Sequence, residues 1–197
     1  IETVPKDSFM KKIDRVKKKT VGKLIIKEYP TSTAGAANFR HLLNELKLKK
    51  NFIPDIIYID YLNICASSRV KYTASVNSYT YVKAIAEEFR GLAVEHDLPI
   101  VTATQTTRSG YASSDVVLTD VSESFGLPAT ADLMFALISN EQLESFNQIM
   151  VKQLKNRYSD LSKNRRFVIG IDRSKMKLYD VDQTEQENIQ DDIPIMD

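Results

Sequence analysis

Two apolar runs, each ending in a polar residue, constrain the fold of this chain more than any other feature. Ile56–Ile59 is followed by Asp60, and Pro99–Thr104 is followed by Gln105. A helical pattern of apolar residues spans positions 81–96 between the two runs. Continuous apolar runs are typical of strands buried on both faces of a parallel sheet, and a helix is the usual connection between parallel strands. The sequence therefore predicts an α/β fold with helices on both faces of a mostly parallel, doubly wound sheet.

The remaining elements follow from apolar spacing and turn residues. Helices are predicted over Phe9–Lys19 and Phe39–Lys50 because apolar residues recur there at helical spacing. Short apolar runs predict a buried strand at Leu24–Ile26 and further strands at Leu133–Ile138, Gln148–Leu154, Arg166–Asp172 and Lys177–Val181. The last two form a predicted hairpin, so the sheet is expected to end in an antiparallel extension. Residues 1–183 are predicted to form one domain, and the acidic segment 184–197 is predicted to be disordered.

Composition excludes several classes of protein. The net charge is +1, so any contact with nucleic acid must come from local basic patches. The single cysteine, Cys65, excludes an internal disulfide framework and favours a reducing, cytoplasmic location. No apolar run approaches the roughly 18–20 residues that a membrane span requires, so no membrane partner is expected.

Asp60 and Gln105 are candidate site residues because ligands of parallel sheets bind outside the carboxyl ends of the strands. A carboxylate there can hold Mg²⁺ through water, and an amide can orient water or contact a phosphate. The spacing is equally compatible with Asp60 capping a turn and Gln105 starting a loop.

Lys155 and Arg157 follow a predicted strand at i and i+2, so both are expected on one side, within reach of one phosphate. A solvated basic strand end explains the same pattern.

Four stretches, in order, resemble the motor domain of DnaB-type replicative DNA helicases. Asp55–Leu62 resembles the Walker B strand, and Ile100–Arg108 resembles the sensor strand that ends in glutamine. The other two are Thr119–Ser124 with Ala131–Asp132, which resembles the segment after the second DNA-binding loop, and Lys155–Arg157, which resembles a Lys-x-Arg finger. Within the family, the helicases of T-even-like phages are most similar to Phe39–Asn51, Val82–Glu88 and Gly126–Asp132.

This resemblance implies a RecA-like fold, an ATP-driven ring-shaped hexamer and single-stranded DNA as partner. It also implies a primase and a helicase loader as partners, and a place in the cytoplasm of a phage-infected bacterium. Asp60 would help to hold Mg²⁺, and Gln105 would couple the γ-phosphate of ATP to the following loop. Lys155 and Arg157 would reach the ATP of the neighbouring subunit. The residues expected near DNA are Arg69, Lys71, Arg108, Ser122 and Glu123; Ser122 stands where bacterial relatives often carry a DNA-binding arginine.

The chain departs from the family in lacking the phosphate-binding loop. No G-x-x-x-x-G-K-[ST] motif occurs in it, and its six glycines are scattered. Together with the start at Ile1, this indicates the C-terminal part of a motor domain whose P-loop strand and helix are absent. The chain alone is therefore expected not to hydrolyse ATP. Loss of a central strand exposes apolar strand edges, which predicts association between chains or a rearranged sheet.

Two other functional interpretations remain open from the residues. A RecA-like recombinase or ATPase shares the placement of Asp60 and Gln105. A non-enzymatic interaction module, docking a partner through the basic first helix and the lysine-rich second helix, is favoured by the missing P-loop. A receiver-like domain with Asp60 as phosphoacceptor is disfavoured, because the paired acidic residues expected on a neighbouring strand are not found.

Overall fold

The computed structural model of the chain describes residues 5–73, 76–106, 117–118, 126–161 and 164–182. Residues 1–30 and residues 31–197 form two compact units. In the described part of the chain, no helix combines the length and the apolar composition needed to cross a membrane. The predicted disordered tail lies outside the described residues.

The first unit consists of helix α1, Lys6–Lys19, followed by a segment without regular structure. The predicted helix is confirmed and begins three residues earlier, after Pro5, and its last turn carries three lysines that suit the negative end of the helix dipole. The predicted buried strand at Leu24–Ile26 is wrong: this segment is not a strand, and Leu24 and Ile26 are exposed. A strand needs a neighbour to complete its backbone hydrogen bonds, and the described residues provide none here.

The second unit contains four helices and two sheets in its described residues. Most predicted elements are confirmed within a few residues of their expected bounds. The helices are α2 (Ala36–Lys50), α3 (Ser78–His96), α4 (Gly126–Thr130) and α5 (Glu141–Ser145), with a 3-10 turn at Leu62–Ile64. The strands are β1 (Ile57–Ile59), β2 (Ile100–Thr102), β3 (Leu133–Ile138), β4 (Gln148–Asn156), β5 (Arg166–Asp172) and β6 (Lys177–Asp180).

Both strand directions that the sequence predicts are present, but the described strands form two separate sheets. β1 and β2 pair in parallel, with Ile57 opposite Ile100 and Ile59 opposite Thr102. The other four strands form an antiparallel sheet in the order β3-β4-β5-β6. In the described residues, the parallel part therefore has two strands and the antiparallel extension four.

The expected burial of β1 and β2 on both faces is wrong. Ile59 is buried, but the neighbouring Tyr58 is 71% exposed, and Val101 and Thr102 of β2 are exposed as well. An apolar run indicates a strand, but its second face is buried only where another layer covers it. The described residues leave the Tyr58 face uncovered.

Helix α3 lies at the centre of the core. Ile85, Phe89 and Leu92 are buried in one cluster with residues of both sheets, including Ile59 of β1 and Ala136 of β3. Residues of both sheets therefore belong to the buried cluster that contains this helix.

The ring of Phe89 also stacks on Phe39 of α2, with centroids 5.3 Å apart. Stacked aromatic rings add to the area that they bury, so this contact attaches α2 to α3.

Replacing Leu92 with alanine is expected to lower the free energy of unfolding by about 2–5 kcal/mol, because it leaves a cavity in this cluster. Leu92 is 0% exposed, whereas Leu48 of α2 is 83% exposed. Leu48→Ala is therefore the matched control, with a change within about 0.5 kcal/mol. Urea denaturation followed by circular dichroism measures both, and equal losses would contradict the central position of α3.

Candidate functional site

Asp60 and Gln105 lie at the same end of the parallel strand pair. Asp60 follows β1 directly, and the peptide bond between Asp60 and Tyr61 is cis. The Gln105 side-chain amide donates to the Tyr61 hydroxyl over 3.4 Å, and the Leu62 backbone N–H donates to the carbonyl of Ala103 over 3.0 Å. The carboxylate and the amide are both exposed. The two predicted residues are thus presented at one edge of the sheet and joined through Tyr61.

Two threonine hydroxyls join the same segments. Thr102 donates to the carbonyl oxygen of Ile59 over 2.9 Å, and Thr104 donates to the side-chain oxygen of Asn63 over 2.9 Å. These bonds cross from the strand that carries Gln105 to the segment that carries Asp60. Side-chain hydrogen bonds therefore connect these two segments, in addition to the backbone hydrogen bonds between β1 and β2.

Asp60 is suited to Mg²⁺ only as part of a larger set of ligands. Among the described residues, no group of three or more His, Cys, Asp or Glu side chains is placed to hold a metal ion. Mg²⁺ is commonly bound through one or two carboxylates together with waters and substrate phosphates. A single exposed carboxylate at a strand end fits that pattern, but the phosphate-binding motif is not in the sequence.

Lys155 and Arg157 converge on one oxygen atom at the end of α4. The Lys155 ammonium donates to the carbonyl of Pro128 over 2.6 Å and to that of Ala129 over 3.3 Å. The Arg157 guanidinium donates to the same carbonyl of Ala129 over 3.0 Å. Carbonyls at a helix C-terminus lack intrahelical partners and attract cations. The two predicted cations therefore lie side by side.

Strand β4 is irregular next to this pair. Lys155 lies opposite Met134, but the next aligned residue of β4 is Gln153, so Leu154 is an extra residue in the ladder. Such bulges bend a strand and redirect its side chains. The strand then ends because the Asn156 side-chain oxygen accepts hydrogen bonds from the backbone N–H groups of residues 158 and 159. β4 is two residues longer than predicted, and Lys155 lies within it.

Asp132 lies between two arginines at this site. One of its carboxylate oxygens forms an ion pair with Arg157 over 2.9 Å and accepts a hydrogen bond from Arg90 of α3 over 3.0 Å. Burial, together with the neighbouring Arg157, lowers the pKa of Lys155, and Asp132 acts in the opposite direction. The site therefore holds three cations around one carboxylate.

Gly126 allows α4 to approach α3 closely. A β-carbon at this position would lie 2.0 Å from the Tyr79 hydroxyl and 2.7 Å from the Lys83 side chain. Any larger residue would require the Tyr79 and Lys83 side chains, or the start of the helix, to move. The carbonyls that hold Lys155 and Arg157 are thus placed by a helix docked at its glycine.

Arg69, a predicted DNA-binding residue, is tied to helix α3. Its guanidinium donates to the carbonyl of Ala84 over 3.1 Å and to the Glu87 carboxylate over 2.9 Å. Lys71, by contrast, is exposed, and the described residues give its ammonium group no ion pair. The predicted DNA contacts Arg108, Ser122 and Glu123 lie outside the described residues.

The loop that carries Arg69 is held by the carboxylate of Glu88. This side chain is only 7% exposed, and it accepts hydrogen bonds from the hydroxyls of Ser67 and Ser68 and from the backbone N–H groups of Ser68 and Arg69. Burial alone would raise the pKa of Glu88, but these hydrogen bonds outweigh it and hold the pKa below its ordinary value. The ionised carboxylate is therefore the form that orders the loop.

The sequence as a whole matches one protein family. The DnaB-like helicase C-terminal domain accounts for residues 3–177, which is most of the chain. The chain belongs to this family. The resemblance expected from the four stretches is thereby confirmed.

Relatives of this DnaB-like domain support the same family and fold. The chain is 51% identical over 166 residues to a DnaB-like replicative helicase of Enterobacteria phage T4; the match covers 84% of the chain and 35% of that protein. Among solved structures, it is similar to an ATPase domain, with a TM-score of 0.63, 18% identity, and coverage of 76% of this chain and 52% of that one. It is also similar to a DnaB-like replicative helicase described with its primase interactions, with a TM-score of 0.71, 16% identity, and coverage of 91% and 42%.

These comparisons confirm the RecA-like fold and the relation to T-even-like phage helicases. The chain spans about a third of the length of the phage relative that it matches.

Sequence reasoning did not assign roles to Glu88, Arg90 and Asp132 of this DnaB-like domain. Glu88 and Arg90 belong to a helix whose charged residues look like a solvated surface, and Asp132 precedes a strand. Their partners lie about 20 to 42 positions away in sequence. Only the tertiary structure shows which cations and hydroxyls they hold.

Glu88→Gln is expected to lower the free energy of unfolding at neutral pH by about 1–3 kcal/mol, because it removes a buried, hydrogen-bonded charge. Since the folded-state pKa of Glu88 lies below its ordinary value, this stabilisation is complete above the unfolded-state pKa. It is lost as the pH falls through the folded-state pKa, so the difference between wild type and variant should shrink in acid.

Glu87→Gln is the matched control, since Glu87 is the neighbouring, exposed carboxylate and pairs with Arg69 and Lys83. We expect a change within about 1 kcal/mol for it. Urea denaturation at several pH values measures both variants. A Glu88→Gln effect that equals the control, or that does not depend on pH, would contradict the role given to the buried carboxylate.

Proposed function

We propose that the chain is part of the motor of an ATP-driven, hexameric replicative DNA helicase, which moves along single-stranded DNA and unwinds the duplex at the fork. Family membership supports this proposal, and the convergence of Lys155 and Arg157 on the carbonyl oxygen of Ala129 carries it. Two cations that reach one oxygen atom are placed to bind one phosphate oxygen. Arginine adds a planar array of donors, and lysine adds a mobile point charge.

The ATP site is proposed to be shared between subunits. Within the described residues, no hydrogen bond or ion pair joins the Asp60–Gln105 edge to Lys155 or Arg157. Asp60 would then hold Mg²⁺ through water in the site of its own subunit, with the P-loop supplied by a segment outside this chain. The ion would supply charge neutralisation at the phosphates. Lys155 and Arg157 would serve the neighbouring site, where they offset the negative charge of the transferred phosphoryl group.

Gln105 is proposed to connect this site to the DNA. Its amide contacts the Tyr61 hydroxyl, and Tyr61 begins the segment that leads to Arg69 and Lys71. The amide nitrogen carries two N–H donors, so one can contact a phosphate oxygen while the other donates to the hydroxyl. Gln105 would thus link the proposed ATP site to the segment that leads to the predicted DNA loop.

Lys71 is proposed as the DNA-binding cation of the loop, with Arg69 contributing when α3 releases it. Arg108, Ser122 and Glu123 complete the proposed DNA surface. Phosphate contacts of this kind hold a strand without reading its sequence. We further propose that the helicase works with a primase and a loader in the cytoplasm of a phage-infected bacterium.

The shared site predicts complementation between subunits. In a full-length protein that contains this chain, Arg157→Ala and Asp60→Ala should each lower DNA-stimulated ATP hydrolysis by about 10³-fold or more. Mixed hexamers should regain part of the activity, because some interfaces then combine an intact Asp60 with an intact Arg157.

Steady-state hydrolysis of the mixtures measures this, with Glu95→Ala as a charge-removing control away from both groups. Normal ATP hydrolysis by the Arg157→Ala variant would contradict the role proposed for Arg157 in the neighbouring ATP site. Strand exchange without unwinding of a forked DNA would instead identify a recombinase.

Lys71→Ala is expected to weaken binding of single-stranded DNA and to reduce the slope of log affinity against log salt concentration by about one. Fluorescence anisotropy of a labelled oligonucleotide at several salt concentrations measures both quantities. Lys50→Ala, at the exposed end of α2, is the control, and its slope should not change. Equal effects of the two variants would favour general charge attraction over a specific loop contact.

A further inference from the structure

Asp132 contacts Arg157 through its backbone and through its side chain. The backbone N–H of Arg157 donates to the Asp132 carbonyl over 3.0 Å, which extends the pairing of β3 and β4 by one residue. The guanidinium of Arg157 forms an ion pair with the Asp132 carboxylate, with nitrogen and oxygen 2.9 Å apart. The backbone and the guanidinium of Arg157 therefore both contact Asp132. The contact with the Ala129 carbonyl fixes the guanidinium at a second of its nitrogens.

Arg90 also holds the Asp132 carboxylate. One nitrogen of the Arg90 guanidinium contacts the same carboxylate oxygen over 3.0 Å and the carbonyl of Thr130 over 2.7 Å. Arg90 belongs to α3, whose neighbouring residues Phe89 and Leu92 are fixed in the core. The carboxylate is thereby anchored to the helix whose buried face lies at the centre of the core.

Stability alone does not account for this arrangement. The side chains of Arg90, Asp132 and Arg157 are 40%, 34% and 44% exposed. Ion pairs with this exposure contribute about 0.2–1 kcal/mol each, because water screens the charges and the side chains lose freedom. The effect of such contacts on orientation can be larger, because a displacement of about 1 Å at a reacting group can lower a rate about 10²-fold.

Removal of the carboxylate would leave the cations facing one another. Arg90, Arg157 and Lys155 would then have only neutral carbonyl oxygens as partners among the described residues. Like charges at this separation repel. The Arg157 guanidinium, which ends an exposed side chain, would be the group most free to move.

We propose that Asp132, anchored by Arg90, is a positioning residue that holds the Arg157 guanidinium beside Lys155 for the phosphate of the neighbouring subunit. The proposal rests on the shared ATP site proposed above. Asp132 itself touches neither nucleotide nor DNA in this proposal, and acts only through Arg157. A purely structural link between α3 and β3 would give different results in two measurements.

The first measurement is DNA-stimulated ATP hydrolysis by the full-length protein carrying Asp132→Ala, Arg157→Ala or both. We expect Asp132→Ala to lower kcat about 10–100-fold and the double variant to equal Arg157→Ala alone, because residues that act as a unit are not additive. In mixed hexamers, Asp60→Ala subunits should also restore part of the ATP hydrolysis that Asp132→Ala subunits lose. A double variant whose loss is the product of the two single losses would overturn the proposal.

The second measurement follows the guanidinium directly. Phenylglyoxal modifies free guanidinium groups, and mass spectrometry gives the modification rate of the peptide that contains Arg157 in the nucleotide-free hexamer. Asp132→Asn keeps the size of the side chain, so it covers the case in which the alanine variant does not fold. We expect this variant to raise the rate several-fold and to change the thermal midpoint little; an unchanged rate would overturn the proposal.

The pair Arg40–Glu95 is the matched control, since its side chains are 40% and 45% exposed and it lies on α2 and α3. Glu95→Gln should alter neither hydrolysis nor the modification of Arg157. If wild type hydrolyses ATP and Arg157→Ala does not, but Asp132→Ala equals wild type, only the positioning role fails. If Arg157→Ala hydrolyses ATP normally, the shared ATP site fails, and the positioning role fails with it.

Discussion

Burial of one face of helix α3 is the interaction on which the second unit depends. Ile85 and Leu92 are fully buried, and the cluster around them takes in residues of both sheets and of α2. Two short parallel strands cannot form a stable layer alone, and a four-stranded sheet also needs a partner for its apolar face. Because one buried cluster includes this helix and residues of both sheets, β1 and β3 are tied to the same core.

The polar residues of α3 extend this constraint to both groups of site residues. Glu88 holds the loop after β1, and Arg90 holds Asp132 beside Arg157. Residues two apart on a helix point in different directions, so the two contacts leave α3 on different sides. The loop predicted to meet DNA and the cations predicted to meet a phosphate are therefore attached to one rigid element, although no direct contact between them occurs in the described residues.

The sequence predicted those features that local patterns determine, and it failed where a distant neighbour decides. Helical spacing identified α1, α2 and α3, and the last hairpin was predicted with nearly the observed bounds. Leu24–Ile26 has the composition of a buried strand but no neighbour among the described residues, and Tyr58 lies on a face without a covering layer. Periodicity shows how a segment would be buried, but it does not show whether a partner is present.

The candidate site shows the same division. Asp60, Gln105, Lys155 and Arg157 follow predicted strands, so topology alone placed each pair at a shared position. The residues that orient them were missed, because an aspartate before a strand or an arginine on a helix has no local signature. Their effect is clearest in the net charge of the site. Three cations and one carboxylate leave two positive charges uncompensated around Asp132. Without Asp132 the cations would repel one another, and with a second carboxylate only one uncompensated charge would remain, which would weaken the proposed attraction for phosphate. One shared carboxylate orients the arginine and leaves the site positive.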